Sequence, residues 1–235
     1  MCGRYVLGPI SWADYHAFLS ILPAGPRDDS AKPFKTSYNI APTQMMPILA
    51  MAEEGLTAVE ARWGLIPPWF RGEVKAFRQT TFNARIETAH EKPSFRAAWA
   101  GRGQGGRCLV PASGYYEWTG EKGAKQPWFI HLSGNAPFFC FAGLWERRTD
   151  GLVSYTILTR AADPVLSHLH HRMPVILPQD SWLDWMAVTE GDWIETAGTG
   201  FGPQFGYHET GPVRGDTPDL IEPRKEAQDA PDLFS

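Results

Sequence analysis

A cysteine directly after the initiator methionine is the first residue of this sequence with distinctive chemistry. Removal of Met1, which small second residues permit, leaves Cys2 with an α-amine (ordinary pKa roughly 8) and a thiol (roughly 8.5) on adjacent carbons. Such a 1,2-aminothiol condenses with an aldehyde through its amine, and the thiolate then closes a five-membered thiazolidine ring. Both steps run near neutral pH without a cofactor. Taken alone, a free cysteine is more often a small apolar residue of a strand. Further along, Phe82–Glu87 puts Asn83, Arg85 and Glu87 at alternate positions, on one face of an extended segment. Pro111–Trp118 ends an apolar run in a glycine, two tyrosines, Glu117 and Trp118, and His170-His171-Arg172-Met173-Pro174 precedes an apolar run. Glu117 and His170 are proton carriers by type, and Asn83 with Arg85 can hold an anionic substrate. Singly, each is as well explained as a solvated or salt-bridged side chain.

Short strands must position these groups. Strand-like runs cover Arg4–Leu7, Pro47–Ala50, Leu56–Leu65, Cys108–Val110, Trp128–Leu132, Phe138–Leu144, Ser154–Thr159 and Val175–Leu177. Helix signals are fewer: Ser11 to about Ser20, Ser94–Ala100, Pro164–His170, Asp180–Ala187 and Gly191–Ala197. Residues 23–36 and 101–107 read as loops, and the chain from Asp216 as irregular. Many strands with scattered short helices predict an α+β fold around a mixed or closed sheet, in one domain.

Composition narrows the function. The 235 residues are 43% hydrophobic and 20% charged, enough for a core and against wholesale disorder. No apolar run approaches the roughly 20 residues of a membrane span, and the N-terminus carries no apolar signal region. Cys2, Cys108 and Cys140 contain no CxxC pair, so neither a disulfide framework nor a metal site is expected, and the reading is cytoplasmic. The net charge of −4 is lopsided: Arg62–Arg107 sums to +6, while Asp216 to the C-terminus sums to −4. Trp63, Trp69, Phe77, Phe82, Phe95 and Trp99 lie within the basic segment. That mixture fits either a single-strand platform or a solvated face over a core stripe.

Taken together, the motifs are specific. MCGRY at the start, Tyr38–Gln44 (YNIAPTQ), Arg62–Trp69 (RWGLIPPW), Phe82–Thr88 (FNARIET), Arg107–Trp118 (RCLVPASGYYEW), Phe141–Glu146 (FAGLWE), Ile157–Thr159 and His170–Leu177 (HHRMPVIL), in this order, resemble the SOS-response-associated peptidase (SRAP) family. The resemblance runs from Cys2 to about Pro223. It implies a single β-rich domain over residues 1–223, with a mixed or barrel-like sheet and short peripheral helices, followed by an acidic tail, 224–235. It also implies processing of abasic sites in single-stranded DNA, with DNA as partner, no cofactor and no metal. A monomer, associated with the nucleoid when bound to DNA, is expected. On the matching positions, Cys2 forms the thiazolidine crosslink to the ring-opened sugar, Asn83 positions it, Glu117 serves the amine, and His170 assists ring opening and reversal. Arg4 and Arg85 grip phosphates, Pro42, Trp69 and Trp118 support or wedge bases, and Thr159 neighbours the site. His171 stands where the family pattern carries a small acidic or amide residue. Removal of Met1 by the same Cys2, Glu117 and His170 would explain the peptidase in the family's name. Two rivals remain beside this reading: an N-terminal-nucleophile amidohydrolase and a non-covalent single-strand binder.

Overall fold

Alternation of small and branched apolar residues in Met46-Pro47-Ile48-Leu49-Ala50 and its neighbours favours strands over helices, and strands dominate the structure. It is a computed structural model that describes residues 2–9, 35–52, 55–102, 104–134, 138–187, 193 and 205–224. The helix expected at 11–20 lies outside these residues, as does all of Gly191–Ala197 except Trp193.

One sheet has five strands in the order β13 (Phe205–Glu209), β8 (Gln126–Leu132), β7 (Gly114–Thr119), β1 (Arg4–Leu7) and β2 (Ser37–Ile40), all antiparallel. The larger sheet has eight: β3 (Met45–Ala52), β4 (Gly55–Trp63), β5 (Asn83–Arg85), β6 (Gly106–Ala112), β9 (Phe139–Arg147), β10 (Val153–Ala161), β11 (Arg172–Pro174) and β12 (Ile176–Leu177). Its pairings close into a ring, β10–β4–β3–β6–β9 and back to β10, with β4 and β5 parallel to β10. The expected α+β, β-rich organisation is therefore the observed one.

The first half of β10 closes the ring between β4 and β9. Its second half carries β5 on one side, with Thr159 opposite Arg85, and β11 on the other, with Thr159 opposite Pro174. Strand β6 is buried along its whole length. The short helices α1 (Ile86–Ala89), α2 (Arg96–Trp99) and α3 (Trp182–Met186) are peripheral, and α2 and α3 pack on β6. The Trp185 indole N–H donates to the Cys108 carbonyl at 2.9 Å, fixing α3 to that strand.

The chain passes from the ring to the smaller sheet at Ser113. Gly114 follows, and a Cβ there would run into the Phe129 ring, so the crossing requires glycine. The two sheets meet in a buried aromatic cluster. Tyr5 meets Trp63 edge-on at 5.1 Å, and its hydroxyl lies 2.7 Å from that of Tyr155. These phenols satisfy each other where water cannot reach.

Several local expectations change. Pro164–His170 is a run of turns, not a helix. The stretch Asp216–Arg224 is structured: Pro218–Ile221 forms a 3-10 turn, Leu220 is buried against Val6, Tyr116 and Phe129, and the Asp216 carboxylate accepts the Tyr38 N–H. The extended segment expected through Glu87 ends at Arg85, because helix α1 begins at Ile86.

Candidate functional site

Strand β1 lies between β2 and β7, with Arg4 opposite Tyr116 and Tyr5 opposite Tyr115. Extended past Arg4, this antiparallel register puts Gly3 opposite Glu117 and Cys2 opposite Trp118, so Cys2 lies at the end of β7 that carries Glu117. Cys2 is fully buried, and its thiol donates to its neighbour Arg4's carbonyl at 3.5 Å. Burial pushes the thiol's pKa well up, and the Glu117 charge adds to this. Resting Cys2 is thus a protonated thiol that needs a base before it can act as a nucleophile.

Glu117 is 4% exposed, and burial raises its pKa above the ordinary carboxylate value. Asn83 comes from β5 and donates from Nδ2 to the Cys2 carbonyl at 2.7 Å. Its Oδ1 is buried and accepts no hydrogen bond among the described residues. That atom is a free acceptor inside the site, the kind of exception that calls for a substrate donor.

His170 is half-buried at the end of the turn that leads into β11. Its Nδ1 accepts the Arg172 backbone N–H at 2.9 Å, which leaves the ring proton on Nε2. Desolvation lowers its pKa, and the charge of His171, stacked on it at 4.3 Å, acts in the same direction. Lys125, in the β7–β8 hairpin, acts electrostatically on both Glu117 and His170.

Beside them lies a clamp that sequence reasoning missed. Arg172 is buried and forms a bidentate pair with Glu87, at 2.6 and 2.8 Å, while its Nη2 also reaches the Thr159 carbonyl at 2.6 Å. Burial by itself would raise the Glu87 pKa; the hydrogen bonds and charge of Arg172 outweigh it and hold the carboxyl below its ordinary value. Thr159 bridges the two flanks, because its hydroxyl donates to the Ala84 carbonyl at 3.3 Å. The clamp ties α1, β5, β10 and β11 together behind the reactive groups. Its signal was the arginine inside His-His-Arg-Met-Pro, three residues before the apolar run that includes Val175.

The predicted DNA contacts divide between two surfaces. Asn83, Arg85 and Trp69 line one groove of about 530 Å³, together with Lys92. Trp69 is 49% exposed and is held by its indole N–H on the Pro93 carbonyl at 3.2 Å. Arg4 and Trp118 instead alternate away from Tyr5 and Glu117, onto the outer face of the smaller sheet, where the Arg4 guanidinium donates to Asn39 at 3.1 Å. Pro42 is half-buried in the turn between β2 and β3. The next residue, Thr43, has φ of 81°, a left-handed conformation that costs a β-branched residue about 1–2 kcal/mol. The Thr43 N–H donates to the Trp63 carbonyl at 2.8 Å, one of the contacts that hold the turn.

The charge count overstates the basic surface. Arg107 is buried, with its guanidinium 4.9 Å from the Trp99 ring, 4.7 Å from Trp185 and 5.9 Å from Trp193. Arg62 is half-buried and donates to the Gly64 carbonyl at 2.8 Å. Of the aromatic residues in the same segment, Trp63 and Phe95 belong to the core, and Trp69 is the one that stands well into solvent. Among the described residues no group of His, Cys, Asp and Glu is arranged to hold a metal ion, and no helix is long and apolar enough to cross a membrane.

Comparison with known proteins places the chain among relatives. The abasic site processing protein YoaM of Bacillus subtilis is 36% identical over 195 residues, covering 79% of each chain. The abasic site processing protein YedK of Escherichia coli is 31% identical over 196 residues, covering 79% of this chain and 84% of its own. A crystal structure of a protein from Bacteroides thetaiotaomicron shares the fold, with a TM-score of 0.73 at 24% identity over 95% of this chain and 100% of its own. The model of the family described as SOS response associated peptidase (SRAP) matches residues 1–203, and the chain belongs to that family.

Proposed function

We propose that this protein processes abasic sites in single-stranded DNA by forming a thiazolidine crosslink through Cys2 after loss of Met1. The observation that carries this reading is the grouping at Cys2: a buried thiol, an Asn83 amide on its carbonyl, and a Glu117 carboxyl close enough to perturb it. The names of the related proteins from B. subtilis and E. coli point the same way.

The proton inventory fits the chemistry. An abasic sugar rests as a closed hemiacetal, and opening it exposes the aldehyde. His170, neutral near pH 7 with its proton on Nε2, can donate a hydrogen bond to the sugar ring oxygen as the ring opens. Glu117, with its raised pKa, holds a proton more readily than an ordinary carboxyl and can give it to the ring oxygen while its other oxygen takes the anomeric hydroxyl proton. Protonated again, it gives a proton to the aldehyde oxygen and takes one from the Cys2 amine as that amine adds, and loss of water gives the imine. The thiol adds across the C=N bond, its proton passing to nitrogen, and the ring closes. Asn83 keeps the Cys2 backbone in place throughout. Arg85 and Trp69 hold the flanking strand, the one through charge on phosphate and the other through its ring. The same Cys2, Glu117 and His170 set would remove Met1 in a self-processing step.

The test combines intact mass, to report loss of Met1, with incubation on an abasic oligonucleotide followed by denaturing electrophoresis. A heat-stable protein–DNA band is expected from the wild type. Cys2→Ala should lose it, and slow strand cleavage through a borohydride-trappable imine should replace it. A full-yield band from Cys2→Ala would overturn the thiazolidine mechanism.

A further inference from the structure

The outer face of the smaller sheet carries a second groove, of about 340 Å³, between the β7–β8 hairpin and the chain after β13. Trp118, Lys125, Gln126, Arg214 and Arg224 line it, and no carboxylate does. Lys125 and Arg214 have no ion pair among the described residues, whereas Arg224 lies 3.9 Å from Glu209 and is partly neutralised. The groove is built rather than incidental. The Gln126 amide donates to the Thr210 carbonyl at 3.0 Å, Arg224 Nη1 donates to Gln126 Oε1 at 2.7 Å, and the Thr210 N–H donates to the Pro127 carbonyl at 3.1 Å. Those bonds fix the walls before any ligand arrives, which lowers the ordering cost of binding.

Its position is the telling feature. Trp118 and Pro127, which line it, pair across β7 and β8 one residue beyond Glu117 and Trp128, so this groove opens at the end of the sheet that carries Glu117. Arg4 lies on the same outer face. The groove beside Asn83, Arg85 and Trp69 reaches Cys2 through Asn83, from the larger sheet, and can take one flank of a strand reacting there. The other flank needs its own path, and an anionic polymer is drawn to uncompensated cations beside a tryptophan.

We propose that the groove lined by Lys125, Arg214, Arg224 and Trp118 binds the phosphodiester backbone of the DNA strand where it continues past the abasic site, away from the Arg85 groove. This rests on the function proposed above and adds a second, separate contact surface for the same strand.

The experiment uses oligonucleotides with one tetrahydrofuran site, an abasic analogue that lacks the aldehyde, extended by about eight nucleotides on the 5′ side or on the 3′ side. Affinity is measured for the wild type and for a Lys125→Ala/Arg214→Ala double variant over a range of salt. The variant should bind one of the two extended strands about tenfold more weakly, with the log–log salt slope reduced by about 1.4 from two lost phosphate contacts. The strand extended the other way should bind as before, and Lys125→Arg/Arg214→Lys should bind both like the wild type. Equal weakening on both strands, or none on either, would overturn the proposal. So would displacement of the extended strand by polyglutamate at equal charge, which would assign the groove to acidic peptides. Crosslinking of a true abasic oligonucleotide by the wild type is scored separately. Its absence would count against the proposed chemistry while leaving the one-sided binding result to judge the groove.

Discussion

Arg172 and Arg107 are both withdrawn from solvent, and the molecule treats them in opposite ways. Arg172 sits behind the reactive groups with each hydrogen bond aimed: a bidentate carboxylate, a strand carbonyl and a threonine hydroxyl. Arg107, on β6, faces three tryptophan rings; among the described residues its one hydrogen bond, to the Trp185 carbonyl, is long at 3.5 Å, and the Nε of both arginines is buried without an acceptor. Burial alone lowers the Arg107 pKa to about 10. The first arginine acts as a directional brace, and the second as a flat filler whose charge rests on ring quadrupoles. Where the structure ties the elements around the candidate site together, it uses aimed bonds; where it must fill space under a helix, it does not.

The sharpest way to break that contrast is Glu87→Ala. It leaves the buried Arg172 without its carboxylate, and about 2–3 kcal/mol of stability should be lost at neutral pH, less than for a fully buried pair because Glu87 is partly exposed. Glu87 has a depressed folded pKa, so its contribution is present above the ordinary carboxylate pKa and fades as pH falls through the folded value. Denaturant melts of the two proteins should therefore converge in acid. A gap that persists unchanged at the lowest pH would show that the pair is not the brace.

Glu117→Gln extends the comparison to a buried carboxyl. Its folded pKa is raised, so ionisation opposes folding above the ordinary value and makes no difference well below it. The variant should melt higher than the wild type at about pH 8 and equally at about pH 3.5, while crosslinking slows roughly a hundredfold. A loss of stability at the higher pH would contradict the argument. The smallest effect is expected for Arg107→Met. Replacing a charge that lacks a buried counter-ion with an apolar chain of similar length should change stability by less than about 1 kcal/mol, in either direction. A loss comparable to that from Glu87→Ala would erase the distinction between brace and filler.

The sequence made the ring legible because β4, β9 and β10 are long runs of apolar and branched residues. It made the candidate residues Cys2, Asn83, Glu117 and His170 legible because they stand in specific motifs. Other features depended on tertiary partners. Tyr207–Glu209 pairs with β8 only because the whole smaller sheet is present, and nothing in Gly206-Tyr207-His208 announces a strand. Glu87 read as part of an extended face because local spacing cannot reveal that Arg85 ends its strand. Arg62 and Arg107 entered the surface charge because composition cannot tell a cation over tryptophan rings from one in water. Trp118 shares a motif with Glu117, yet pleating sends adjacent residues to opposite faces of a sheet.

The two halves of β10 also set an order of events during synthesis. Cys2 leaves the ribosome first, but β10 and β11, which hold Asn83 and His170 in place, are made near the end. At 5–20 residues per second, the thiol waits about 10–30 s for its proton carriers. For about the first two-thirds of that interval the N-terminal segment has neither its β7 partner nor the Glu117 carboxyl. The chain thus spends its early life as an ordinary nascent peptide, and the setting of Cys2 is complete only once the sheet has closed around it.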